Sequence, residues 1–216
     1  MNNDILRCVY CGIASEVTRD HVPPKCFFPK PRPSDLVTVP SCKHCNISGS
    51  KDEEFFLVSL MFGDAGLKDT GIAMWNSQLP RMLKRHRGVR LAITKMMSDI
   101  NLTSPSGLYL GRRLAQKIDY PRLDRVVLKI IKGLYFLEFS ASLSQSASVQ
   151  CKWLNTPALS EETGTYLQHA RLGKHGWPGI FEYKVAYVPE QRDKTIWFLL
   201  FFDHALWWGI TGIWDD

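Results

Sequence analysis

The chain has 216 residues, 45% of them hydrophobic, and carries 27 Lys and Arg against 21 Asp and Glu, a net charge of +6. That length and composition allow one compact domain, or a small module fused to a larger one, with enough apolar residues for a sizeable core. The longest apolar run, IWFLLFF at 196–202, is far too short to span a bilayer, and the N-terminal MNNDILRCVYCG has no basic-then-apolar signal pattern. A cytoplasmic protein with reduced thiols is therefore expected, so its six Cys suggest metal ligands or free thiols rather than disulfides.

Residues 1–52 consist of short segments punctuated by Pro, Gly and Cys. Six prolines between Pro23 and Pro40 preclude a helix there and favour an extended loop. The β-branched LVTV at 36–39 predicts a short strand, with 16–22 as its partner. Ser50 and Glu53 have the spacing of a capping box, predicting a helix that carries Phe55, Phe56, Leu60 and Phe62.

From about 70 to 140 the pattern is helical. Leu123, Val126, Val127, Ile130, Ile131, Leu134 and Leu137 follow the i, i+3, i+4, i+7 rule, while Arg122, Arg125, Lys129 and Lys132 fall on a separate stripe. Residues 81–132 hold 13 Lys and Arg against three acids, leaving the rest of the chain at −4. Such a localised positive field suits a polyanion, so the stripe is a candidate nucleic-acid contact, and His86 in KRHR a candidate addition to it. A solvated helix face is the competing reading. Further on, Phe181, Tyr183, Val185 and Tyr187 alternate with Glu182, Lys184 and Ala186; Gln191 to Lys194 then reads as a turn into TIWFLL. This predicts a β-hairpin.

Two C-x-x-C knuckles, Cys8/Cys11 and Cys42/Cys45, supply four soft thiolates, the donor set of a tetrahedral structural Zn²⁺. A redox role would need only one such pair and a βαβ context, which neither has. Cys26 and Cys151 are expected to be ordinary buried thiols. Between the knuckles lies Asp20-His21, and Asn46 follows the last Cys directly. Oxygen ligands on Asp20 and Asn46 could hold a second, hard cation such as Mg²⁺ or Mn²⁺. His21 points to the opposite side of an extended chain and is free to accept a proton from water. These are parts that phosphodiester hydrolysis uses.

The order C-x2-C, DH, P, hydrophobic strand, C-x2-C-N, written here as DHVPPKCFFPKPRPSDLVTVPSCKHCN, resembles the HNH endonucleases with a ββα-metal site. The resemblance covers residues 8 to about 55. It implies that Asp20 binds the catalytic metal, that His21 is the general base, and that Asn46 is the last metal ligand. Asp35 stands where that family has an Asn bracing the loop that orients the base. Its acceptor oxygen could serve the same purpose.

The expected architecture is thus α+β. A zinc-stabilised ββα-metal module over 1–56 precedes an accessory α+β region over 57–216, with basic helices at 81–140 and a β-hairpin at about 180–212. The expected function is metal-dependent hydrolysis of double-stranded DNA, giving by resemblance 5′-phosphate and 3′-hydroxyl ends. The alternative is a non-catalytic, zinc-stabilised nucleic-acid-binding protein.

Overall fold

The computed structural model describes residues 7–154 and 161–212, and shows a mixed α+β protein. Strand β1 (Val17–His21) pairs antiparallel with β2 (Thr38–Cys42), setting Asp20 opposite Val39 and His21 opposite Thr38. The proline-rich connection is not a loose excursion. Its short 3₁₀ turn, Lys25–Phe27, drives Phe27 and Phe28 into the interior, and Pro23 and Pro24 are buried behind them. Phe27 stacks on Phe56 with ring centroids 5.3 Å apart, and Phe28 meets Trp177 at 5.1 Å. The prolines shape a plug, and the aromatics anchor it.

Strand β2 runs directly into helix α1 (Lys43–Ser48), and α2 (Ser50–Met61) follows after Gly49. The predicted capping box does not form. Because one helix leads straight into the next, Gly49 takes the cap position in helical conformation, and Ser50 Oγ donates back to the Ile47 carbonyl at 2.9 Å. Glu53, freed from the cap, turns towards Lys129. The expected boundary at 56/57 falls inside α2, where Phe55, Phe56, Leu57 and Val58 are all fully buried in a core continuous with the C-terminal sheet.

Helices α3 (Asp69–Ser77), α4 (Leu79–Arg85) and α5 (Arg87–Met96) come next. The helical expectation fails between 97 and 116. There β3 (Met97–Thr103) and β4 (Tyr109–Gln116) form an exposed antiparallel hairpin, turned by SPSG with Gly107 at φ 85°. That turn punctuates the segment more strongly than its residues favour helix.

Helix α6 (Tyr120–Phe139) starts at Asp119, whose carboxylate accepts the Arg122 N–H, with Pro121 in the first turn. Leu123, Val126, Val127, Ile130, Ile131 and Leu134 are buried, as their period predicts. Gly133 sits where a side chain would collide with Val22, since an added Cβ would lie 2.6 Å from Val22 Cγ2. Its glycine lets α6 lie against the end of β1.

Beyond α6, the sheet has the order β5-β9-β8-β7-β6, every pair antiparallel: β5 (Val149–Leu154), β6 (Arg171–Leu172), β7 (Phe181–Val188), β8 (Gln191–Phe201) and β9 (Ala205–Thr211), with α7 (Glu161–His169) before β6. The hairpin is therefore two of five strands. Its turn also comes earlier than expected: Gln191 already pairs with Val188, because strand hydrogen bonding continues through exposed residues that the apolar pattern cannot mark. Ile196 to Leu199 are buried on both faces, which explains the unbroken apolar run. Trp207 is fully buried and donates its indole N–H to Asp124.

Candidate functional site

The two knuckles close on each other. Cys8 and Cys11 lie on a tight turn, with Gly12 at φ 71° and its N–H on the Cys8 carbonyl at 2.8 Å. Cys42 caps α1, its sulfur accepting from the Cys45 N–H at 3.4 Å, so the second knuckle is the first turn of a helix. All four Sγ atoms lie within 4.8 Å of one another, and Cys11 Sγ is 3.8 Å from Cys42 Sγ. Tetrahedral bonds of about 2.3 Å would separate thiolates by about 3.8 Å. The cluster can hold a structural metal. Burial raises the Cys8 thiol, but the backbone N–H groups of Cys42, Cys11 and Tyr10 outweigh it and bring Cys8 down to about 6, whereas burial and then the neighbouring Cys42 and Cys11 thiols push Cys45 strongly up. Cys26 and Cys151 stand outside the cluster, both with thiols pushed up by burial.

Alternation along β1 sends Asp20 and His21 to opposite sides. Asp20 is buried and faces α2 and α6, where Lys129 Nζ lies 2.8 Å from its Oδ2 and 2.7 Å from Glu53 Oε1. The ammonium directs its hydrogen bond at Glu53, so Asp20 Oδ2 has a close charge contact without a directed hydrogen bond. Burial pushes Lys129 down and Glu53 up. For Lys129 the two carboxylates outweigh burial and raise it, whereas Glu53 stays raised despite Lys129. Tyr10 covers the group, its ring 5.3 Å from Lys129 Nζ, and burial followed by the Asp20 charge drives its phenol strongly up.

Asn46 is half-buried and ties α1 to β1: Nδ2 donates to Thr18 Oγ1 at 2.8 Å and to the Arg19 carbonyl at 3.3 Å. Asp35, ahead of β2, accepts the Trp177 indole N–H at 3.2 Å. The divalent centre expected at Asp20 and Asn46 does not fit this arrangement. The cation facing Asp20 is Lys129, and the Asn46 amide N–H groups are engaged by Thr18 and the Arg19 carbonyl.

His21, half-buried, opens instead into a pocket of about 440 Å³ walled by Lys25, Lys30, Arg32 and the Pro31–Pro33 turn. Arg32 Nε donates to the Lys25 carbonyl at 3.1 Å, holding the loop folded over the imidazole. Burial and then Lys25 lower the His21 pKa against the opposing pull of Asp20. Lys30 and Arg32 also wall a second pocket of about 260 Å³, which continues to Arg81, Arg85 and His86 on and after α4. His86 Nδ1 lies 3.2 Å from Glu54 there. Sequence reasoning missed these loop cations, although KCFFPKPRP shows them; it also missed Lys129 as Asp20's partner.

The basic stripe of α6 is largely paired with acids, although Arg125 stays exposed. Arg122 Nε meets Asp52 Oδ1 at 2.7 Å, with its guanidinium 3.9 Å from the Phe55 ring centroid, and Arg125 meets Asp52 Oδ2 at 2.9 Å. With Lys129 on Asp20 and Glu53, three of the four stripe cations pair with acids of β1 and α2; Lys132 is half-buried. The charge count of 81–132 could not reveal this, because the neutralising acids lie far away in sequence.

No protein-family model, curated protein or solved structure matches the chain. Among the described residues no helix is long and apolar enough to cross a membrane.

Proposed function

We propose that the chain hydrolyses phosphodiester bonds in nucleic acid, with His21 in the general-base role that the HNH resemblance of residues 8–55 implies and zinc in the four-thiol cluster as a structural staple. The observation that carries this reading is the setting of His21: a half-buried imidazole beside Lys25, Lys30 and Arg32 in an open pocket, its pKa lowered by burial and then Lys25. The three cations would hold a phosphate and stabilise the charge that builds on it, and His21 Nδ1 or Nε2 would take a proton from the attacking water. The water oxygen bonds to phosphorus and the bond to the 3′ oxygen breaks, leaving by resemblance a 5′-phosphate and a 3′-hydroxyl protonated from solvent. Duplex DNA is the proposed substrate. The adjoining pocket, lined by Arg81 and Arg85, supports contact with neighbouring phosphates.

One observation favours a second reading, a non-catalytic zinc-stabilised nucleic-acid-binding protein: the carboxylate of Asp20 already faces an internal ammonium. Plasmid incubation with and without Mg²⁺ or Mn²⁺ separates the two. Nicked or linear product from the parent protein and none from His21→Ala supports hydrolysis. DNA binding without cleavage under every condition sinks it in favour of the second.

A further inference from the structure

We infer that Lys129 is the resident cation of the Asp20–Glu53 centre, standing where the HNH resemblance would put a divalent ion. The ammonium lies 2.8 Å from Asp20 Oδ2 and 2.7 Å from Glu53 Oε1, within the reach of direct charge pairing with both. A divalent ion on Asp20 would have to sit against this ammonium, and like charges at that range repel.

The place is built for the lysine. Gly49 has ordinary helical angles, φ −82° and ψ −16°, so its backbone does not require glycine. A Cβ there would lie 3.3 Å from Lys129 Nζ and 3.5 Å from Glu53 Oε1, tight against the ammonium. Glycine leaves that space open. Tyr10 closes another side with its ring face.

The helix that delivers the lysine is fixed on both sides of it. Positions 125, 129 and 133 follow one another at i+4 spacing on α6 and all face the N-terminal module: Arg125 pairs with Asp52, Lys129 with Asp20 and Glu53, and Gly133 abuts Val22. Withdrawing Lys129 would leave two poorly solvated carboxylates side by side. The centre is thus a charge staple between the two parts of the chain, closed to divalent ions while Lys129 is in place. This holds whether or not the protein cuts a phosphodiester bond, since it concerns only which cation Asp20 faces.

Mn²⁺ titration followed by electron paramagnetic resonance tests it on zinc-loaded full-length protein. The parent should show no stoichiometric Mn²⁺ site at millimolar ion. Lys129→Gln should gain one, and Lys129→Gln with Asp20→Asn should lose it again. A parent Mn²⁺ site that disappears in Asp20→Asn overturns the inference, and so does a Lys129→Gln protein, folded by circular dichroism and zinc content, that gains none. Should Lys129→Gln fail to fold, amine acetylation of the parent read by mass spectrometry decides instead. Equal, slow labelling of Lys129 with and without Mn²⁺ supports the inference; acceleration by Mn²⁺ means that the ion displaces the lysine and overturns it.

Discussion

Trp177 donates its indole N–H to Asp35 Oδ1 at 3.2 Å, joining the loop ahead of β2 to the segment that enters β7, 142 positions further along the chain. Trp177 is almost fully buried and also packs on Phe28, so this bond fixes the far end of the proline loop that carries the basic pocket. Asp35→Ala leaves the indole N–H without that acceptor and should cost about 1 kcal/mol, measured as a lower urea midpoint. Asp35→Asn keeps an acceptor oxygen and should leave the midpoint and any cleavage activity at parental level or above. Equal loss in both variants would show that the carboxylate's charge, not its acceptor, matters.

The thiol cluster should hold about one zinc per chain, detectable by metal analysis. Chelation or Cys8→Ser should unfold the module around β1, β2 and α1, since a closed four-thiolate site contributes on the order of 10 kcal/mol or more to a small fold. Four freely titrating thiols in folded, zinc-free protein would contradict the assignment.

His21→Ala should leave folding, zinc content and DNA binding intact while cleavage falls by roughly 10² to 10⁴, the usual contribution of a positioned proton acceptor. Unchanged cleavage would place the reaction elsewhere.

The two groups of cations should respond differently to removal. Arg81→Ala with Arg85→Ala should flatten the log–log salt dependence of DNA binding by about 0.9 per lost phosphate contact, with little change in stability. Arg122→Ala should instead cost about 1–2 kcal/mol, because it leaves Asp52 short of a partner and uncovers Phe55. Salt-dependent binding and urea unfolding of both proteins check the contrast.

Glu138 gives the fold a defined acid sensitivity. Its side chain is fully buried, accepting from Tyr183 Oη at 2.6 Å, from the Lys174 N–H at 2.8 Å and from Arg171 at 2.6 Å. Burial pushes the carboxyl up, but these donors outweigh it and hold the pKa below the usual carboxylate range. A pKa depressed by folding means the folded state binds fewer protons than the unfolded one. The stabilisation is therefore complete above the unfolded value of about 4.3 and is lost as pH falls through the lower folded value. Glu138→Gln should be less stable than the parent near neutral pH, and the gap in urea midpoints should narrow as acid is added below about pH 4.

Short-range spacing accounts for several features of the fold. The knuckle spacing brings each thiol pair onto one tight turn, the period of 123–134 buries one side of α6, and the alternation of 181–187 makes β7 a half-buried strand. Alternation also separated His21 from Asp20 across β1 without any knowledge of the fold. What each of them meets depends on how distant segments pack together. A stripe of four cations at helical spacing looks the same whether it meets water, phosphate or carboxylates, and here Asp52, Glu53 and Asp20 approach from elements some 70 to 110 residues upstream. The proline run announced an extended loop, but nothing local revealed that Phe27 and Phe28 would be driven into the core and fold Lys25, Lys30 and Arg32 over His21. The β3–β4 hairpin folds on a local turn between exposed strands that no apolar pattern marks, whereas β5 takes its place by pairing with the distant β9, since a hydrogen-bonded ladder needs no apolar pattern to continue. Side-chain period fixes which way a residue points, and packing of the whole chain fixes what it meets there.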